Sequence, residues 1–146
     1  PEYHGKKVGV ATVIIDRLYR NLADRLPEID PVKDPTDWDE VYRHFTPEQV
    51  PGVKKLNNPT ITDKVDPAKL KASWGEIRRL IYEILPEPDA LVDLKTRAGC
   101  AITPEEVHVS PELLAEGLRW HSYMRYRVLI TRLLPMIGVD PMDYID

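Results

Sequence analysis

Cysteine is almost absent from the chain: Cys100 is the single residue of its type among 146. A lone thiol builds neither an internal disulfide framework nor a cysteine-cluster zinc site. That usage fits a reducing compartment, and a cytoplasmic location is the expectation. Glycine is sparse, at 7 residues against 14 prolines, and no GxGxxG or GxxxxGK(S/T) arrangement offers a loop to cradle a phosphate. The same scarcity disfavours a sandwich of strands joined by glycine turns. The densest apolar stretch, residues 8–15, falls short of the roughly 18 apolar residues a membrane-spanning helix needs, and it does not read as a signal peptide. Positive charge is not in excess either, since 20 Lys and Arg against 24 Asp and Glu leave a net charge of −4. A nucleic-acid binder that relies on global charge is therefore not expected.

What is present, 42% hydrophobic and 30% charged residues over 146 positions, suits one domain able to bury a core. The chain opens on Pro1 rather than Met, so the expectation is a piece of a longer polypeptide in which residues 1–146 form a single domain.

Apolar periodicity is that of helices. Val8, Ala11, Ile15, Leu18, Leu22 and Leu26 recur at spacings of three and four, predicting an amphipathic helix over 4–26 that Pro27 stops. Val10, Val13 and Ile14 widen the stripe in its first half, while Asp16, Arg17, Arg20, Asn21, Asp24 and Arg25 are expected in water. Residues 27–66 carry Pro27, Pro31, Pro35, Pro47, Pro51 and Pro59, a density that forbids a long helix. Loop is expected there with one short helix over 37–45, capped by Thr36, a hairpin being the weaker alternative. Asp66 and Pro67 open a helix whose stripe runs through Leu70, Trp74, Ile77, Ile81 and Ile84 to Pro86. Leu91, Leu94 and Ala98 predict a helix over 88–98 closed by Gly99. Thr103 to Glu106 suit a single turn, and Ser110 and Pro111 open a last helical region that runs to about residue 137, with a break near His121 weighed and Gly138 as its end. Sustained alternation, hairpin dipeptides and internal repeats are all missing. The fold class is all-α, a helical bundle.

Few residues advertise chemistry by spacing. His4, His44, His108 and His121 form no HExxH or paired-ligand pattern, and a metal site wants at least three protein ligands. Ser110 and Ser73 read as a helix cap and a helix-surface residue rather than nucleophiles. Cys100 has no histidine near it in sequence to activate it. From Arg119 to Arg132 the chain carries Arg119, Arg125, Arg127 and Arg132 with three aromatics and no acid. Such guanidinium groups could meet phosphate oxygens, but a helix whose arginines pair with carboxylates elsewhere in an acidic domain is the more ordinary reading.

The opening YHGKKVGVAT at residues 3–12 resembles the start of the helical C-terminal domain of glycerol-1-phosphate dehydrogenases, within the iron-containing alcohol dehydrogenase and glycerol dehydrogenase superfamily. Residues 66–110 are similar, in order, to that family's Trp-bearing helix, its Leu-Pro-x-Pro junction, its Ala-Gly helix end and its Thr-Pro-Glu-Glu turn. Met124-Arg125-Tyr126-Arg127 resembles its Arg-x-Arg segment. The resemblance implies the helical C-terminal part of a dehydroquinate synthase-like, glycerol dehydrogenase-like two-domain enzyme that interconverts dihydroxyacetone phosphate and sn-glycerol 1-phosphate. It further implies a divalent metal, zinc in preference to iron, and NAD or NADP, with the nucleotide-binding domain and two metal ligands upstream. In that family the histidine of the His-Gly pair is a metal ligand, and His4 alone can be carried over to that role. Lys6 in place of a common acidic residue, and Val128-Leu129 in place of a common Tyr-Thr, leave room for a different polyol phosphate. The resemblance thus implies a small polyol phosphate as partner, with neither nucleic acid nor membrane and with room for a homo-oligomer. The competing reading is a non-catalytic helical module that binds an anionic partner through the 119–132 segment. On the first reading the 146 residues alone have no dehydrogenase activity.

Overall fold

Proline and short polar caps set most of the helix limits. In a computed structural model that describes residues 3–146, the chain forms seven α-helices and four short 3₁₀ turns, with no strand among the described residues. The helices are α1 (His4–Arg25), α2 (Trp38–Arg43), α3 (Val50–Leu56), α4 (Pro67–Ile84), α5 (Pro88–Arg97), α6 (Pro111–Trp120) and α7 (Ile130–Ile137). The all-α expectation holds. The chain divides into two compact units, one of residues 3–27, Gly75–Leu114 and Asp143–Asp146, the other of Glu28–Trp74 and Ala115–Met142.

In the first unit α1 packs against α5 and against the turn Glu105–Val107. Its buried face is Val10, Val13, Ile14, Leu18, Leu22 and Ala23. The register anticipated through Val8 and Ala11 is corrected, because both are exposed, as is the helix from His4 to Val8. Spacings of three and four fit both registers, and packing selects the one richer in β-branched residues. Asp16 and Arg20, expected in water, are buried instead. Arg20 donates from Nη2 to the Leu85 and Pro86 carbonyls at 3.2 and 3.4 Å, oxygens left without helical partners just past the end of α4. It also pairs with Glu87 at 3.1 Å and lies 5.0 Å over the Tyr82 ring. Its long stem and planar head are what allow a charged residue to sit on the inner face. On α4, Ile81 is buried but Ile84 is 68% exposed, so the inward stripe ends one turn early. Gly99 closes α5 as anticipated, at φ +71°. Cys100 N–H donates to the Lys95 carbonyl and Gly99 N–H to Thr96, both at 3.0 Å, the paired bonds of a left-handed helix stop.

In the second unit the proline-rich segment holds more helix than anticipated. Asp37, not Thr36, caps α2, its carboxylate accepting from the Asp39 and Glu40 amides at 3.0 and 3.2 Å. Helix α3 went unforeseen because its prolines looked prohibitive. Pro47 precedes it and Pro51 sits in its first turn, where an amide would lack a partner in any case, so neither breaks the helix. The Thr46 amide, freed at that entrance, donates to the Gln49 side chain at 3.0 Å. The last helical region is broken after Trp120, passing through the turn His121–Met124 to extended backbone at Arg125 before α7 begins. The cause is local. His121 Nδ1 takes the Gly117 carbonyl at 2.8 Å, the acceptor a continuing α-helix would offer to the His121 amide. Gly138 ends α7 at φ +68°.

The core of this unit centres on Val41, Val53 and Tyr123, with Trp38, Tyr42, Phe45 and Trp120 packed around them. Trp38 meets Tyr123 edge to face with ring centroids 5.7 Å apart, a favourable quadrupole arrangement. Asn57, buried at the end of α3, donates to the Val53 carbonyl at 2.8 Å and to the Tyr123 carbonyl at 2.7 Å. Because the second of these ties α3 to the 121–124 turn, Asn57→Ala is expected to cost about 1–3 kcal/mol, the penalty for an abandoned buried acceptor. Urea unfolding of the two chains measures it, and a loss below about 0.5 kcal/mol, the level of an ordinary surface change, would remove that tie from the account.

Candidate functional site

His4 is the first helical residue of α1 and is exposed. Among the described residues no group of three or more His, Cys, Asp or Glu side chains is placed to hold a metal ion. The other three histidines are engaged or distant. His121 donates from Nδ1 to the Gly117 carbonyl at 2.8 Å, and its Nε2 lies 3.2 Å from the Thr131 hydroxyl, so both ring nitrogens already have partners. His108 holds the left-handed position after the Glu105–Val107 turn, at φ +57°. His44 lies between Glu40 and Glu116. Ser110 caps α6 by accepting from the Leu113 amide at 3.2 Å, as its position beside Pro111 suggested. Cys100 is exposed.

The arginine-rich segment is drawn largely inward. Arg119 forms a two-pronged pair with Asp140 at 2.7 and 3.2 Å, and that guanidinium holds the Asp140 carboxyl below the ordinary carboxylate range. Arg132 has no exposed surface at all. Its Nη2 donates to Asp34 Oδ2 at 2.6 Å and to the Thr60 hydroxyl at 3.0 Å. Its guanidinium carbon lies 4.4 Å from the Tyr123 ring centroid and 5.5 Å from that of Trp38. Nε and Nη1 have no hydrogen-bond partner among the described residues, and the aromatic faces supply their electrostatic complement. Arg125 and Arg127 remain exposed. The ordinary reading of this segment, arginines answered by internal carboxylates, thus fits Arg119 and Arg132, and little continuous cationic surface is left for an anionic partner.

Asp34, absent from the sequence reading, is the acid around which this cluster is arranged. Oδ1 accepts from the Thr36 amide at 3.1 Å and its hydroxyl at 2.6 Å, and Oδ2 also takes the Thr62 hydroxyl at 2.6 Å. The Thr36 hydroxyl further meets the Tyr123 phenol at 3.0 Å. Burial pushes the Asp34 carboxyl upward, but the bonds from Thr36, Thr62 and Arg132 outweigh it and leave the group below the ordinary range. A cavity of about 470 Å³ borders Asp34, Thr60, Thr62, Trp38, Lys33 and Asp63. Its carboxylate wall is already saturated, so Asp34 is placed to hold Arg132 rather than to move a proton. The signal that could have found it is weak: an acid flanked by Lys33 and Pro35, followed by threonines at positions 36, 60 and 62.

In the first unit Asp16 is the acid out of its element. It is buried, its Oδ2 has no partner among the described residues, and burial raises its carboxyl above the ordinary range while Arg20 pulls it back in part and Glu87 adds to the rise.

No family model matches the chain, and no solved structure matches it. A curated relative, glycerol-1-phosphate dehydrogenase [NAD(P)+] of Geobacillus stearothermophilus, is 30% identical over 117 residues, which is 80% of this chain and 22% of that protein. The chain therefore spans about a fifth of the length of the relative it matches.

A carboxyl whose folded-state pKa is raised contributes stability that is present below its unfolded value and lost as pH rises through the folded one. Asp16→Asn is therefore expected to stabilise the chain relative to wild type more at pH 7 than at pH 3. Urea unfolding at the two pH values tests this, and an equal difference at both would show that burial does not penalise the Asp16 carboxylate.

Proposed function

We propose that this chain is the helical C-terminal domain of a metal- and NAD(P)-dependent oxidoreductase of the glycerol-1-phosphate dehydrogenase type, acting in the cytoplasm on dihydroxyacetone phosphate or a related polyol phosphate. The observation that carries this reading is the 30% identity over 117 residues to an enzyme of that name. The ordered motifs from the His4-Gly5 pair to the Arg125-Tyr126-Arg127 segment support it, as does the absence of any strand among the described residues. As a binding site for an anionic partner, the 119–132 segment is the weaker reading, since Arg132 and Arg119 are committed to Asp34 and Asp140.

The described residues do not by themselves fit a complete metal centre, because no three His, Cys, Asp or Glu side chains among them are gathered to hold an ion. Nor do they fit a nicotinamide dinucleotide, for which a glycine-rich turn at a helix start is the usual cradle. What the chain offers is an imidazole at the first residue of a 22-residue helix whose later turns are anchored in the core. That is a rigid mount on which one ligand could be held while the parent protein supplies the others, zinc being the preferred ion.

In the full-length parent, His4→Ala is expected to lower bound metal and to depress turnover of dihydroxyacetone phosphate at least tenfold, the usual scale for losing a ligand or its support. His108→Ala should leave both near wild type. Elemental analysis beside a nicotinamide absorbance assay reads the two quantities together. Full metal content and normal turnover in the His4→Ala parent would contradict the assignment.

A further inference from the structure

His44 follows α2 directly and its ring has an acid on each side. Nδ1 lies 2.7 Å from Glu116 Oε2 on α6, and Nε2 lies 3.0 Å from Glu40 Oε1, one turn back on α2. A neutral imidazole has one donor and one acceptor nitrogen, so one of these contacts would set lone pair against carboxylate. Only the imidazolium donates to both. The ring also stacks on Trp120 with centroids 4.0 Å apart and planes 15° from parallel, an arrangement in which the indole face favours a cation. We propose that His44 is a protonation-controlled clasp within the second unit, closed as imidazolium between Glu40 and Glu116 on Trp120 and opened when the ring loses its proton.

The surrounding charges support this. On α2, Glu40 shares its other oxygen with Arg43, and Asp37 and Asp39 add negative charge at the start of the helix. On α6, Glu116 faces the ring while Arg119 is turned to Asp140. Lys54 of α3 lies 4.9 Å over the Tyr42 ring. Modest burial works against the charged form, and the two glutamates outweigh it, raising the histidine above its ordinary value. With a raised folded pKa, the stabilisation is complete below the unfolded value of about 6.5 and is lost as pH rises through the folded one.

The clasp governs Trp120, which walls a cavity of about 190 Å³ with Tyr123, Thr131, Leu134 and Asp140. The buried Nε1 of that indole has no hydrogen-bond partner among the described residues, so the ring is held by packing alone, by the stack on His44 and by the Val41, Val53 and Tyr123 core. Opening the clasp would cut the His44–Glu116 tie between α2 and α6 and loosen this wall, while the Val41 and Tyr123 core stays packed.

The test is a nuclear magnetic resonance titration of the 146-residue chain between pH 5 and 9, following the His44 Cε1–H and the Trp120 indole N–H. The midpoint of His44 is expected above the ordinary 6.5, and the Trp120 signal is expected to move with that same midpoint. Glu116→Gln should bring the His44 midpoint down, and His44→Gln should abolish the pH-dependent movement of Trp120. A His44 midpoint at or below the ordinary value, a midpoint indifferent to Glu116→Gln, or a Trp120 shift that persists in His44→Gln would each overturn the proposal. If His44→Gln does not fold, the wild-type midpoints and the Glu116→Gln shift decide the matter on their own.

Discussion

A guanidinium with no exposed surface cannot stay in a protein interior without an anion beside it. The second unit of this chain is arranged around that requirement at Arg132. Its answer, Asp34, lies 98 positions away in the proline-rich segment, which has short helices and little periodicity of its own. Asp34 also orders what surrounds it, because Thr36 and Thr62 spend their hydroxyls on the same carboxylate. Thr36 reaches on to Tyr123, and Tyr123 and Trp38 give the guanidinium its aromatic faces. Desolvating two charges is costly, and such a pair need not add net stability over an apolar core. What it does is make one arrangement of residues 34–62 far better than others, since any slip would leave Arg132 buried and unanswered.

That logic also explains which parts of the fold could be read from sequence. Helices α1, α4 and α5 were legible, because Pro27, Asp66-Pro67 and Gly99 are local signals acting within a turn of the residues they affect. Helix α3 was not, because a proline in the first turn and one in the interior look the same in composition and differ only in which amides need partners. The inward face of α1 was half legible, since Leu18 and Leu22 belong to both competing registers while Val8 and Val10 do not. Among Arg119, Arg125, Arg127 and Arg132 the sequence offers nothing to tell the buried residue from the exposed ones. The difference lies in Asp34, and no spacing rule connects the two. His44 is a similar case: its i−4 partner Glu40 could be seen, but Glu116 sits 72 residues on.

The functional reading divides along the same line between local and distant. The His4-Gly5 pair and the motifs from 66 to 110 are local patterns, and similarity to a glycerol-1-phosphate dehydrogenase covers 80% of the chain. Chemistry of that kind needs several ligands and a nucleotide cradle converging on one point, whereas the described residues hold an anchored helix with an exposed imidazole at its head. The buried and half-buried polar groups described above serve other ends. Asp34 and Arg132 fix a loop, Arg20 stops a helix, and His44 ties two helices through its charge.

The central claim, that Asp34 and Arg132 act as one unit to hold the proline-rich segment, is tested most directly by a double-mutant cycle. Urea unfolding of the wild-type chain, Asp34→Asn, Arg132→Met and the double variant gives the coupling between the two side chains. Each single change is expected to cost about 3–5 kcal/mol by leaving its partner buried and unanswered. The double change is expected to cost less than their sum by more than about 1 kcal/mol. Additivity to within about 0.5 kcal/mol, the behaviour of independent sites, would contradict the account.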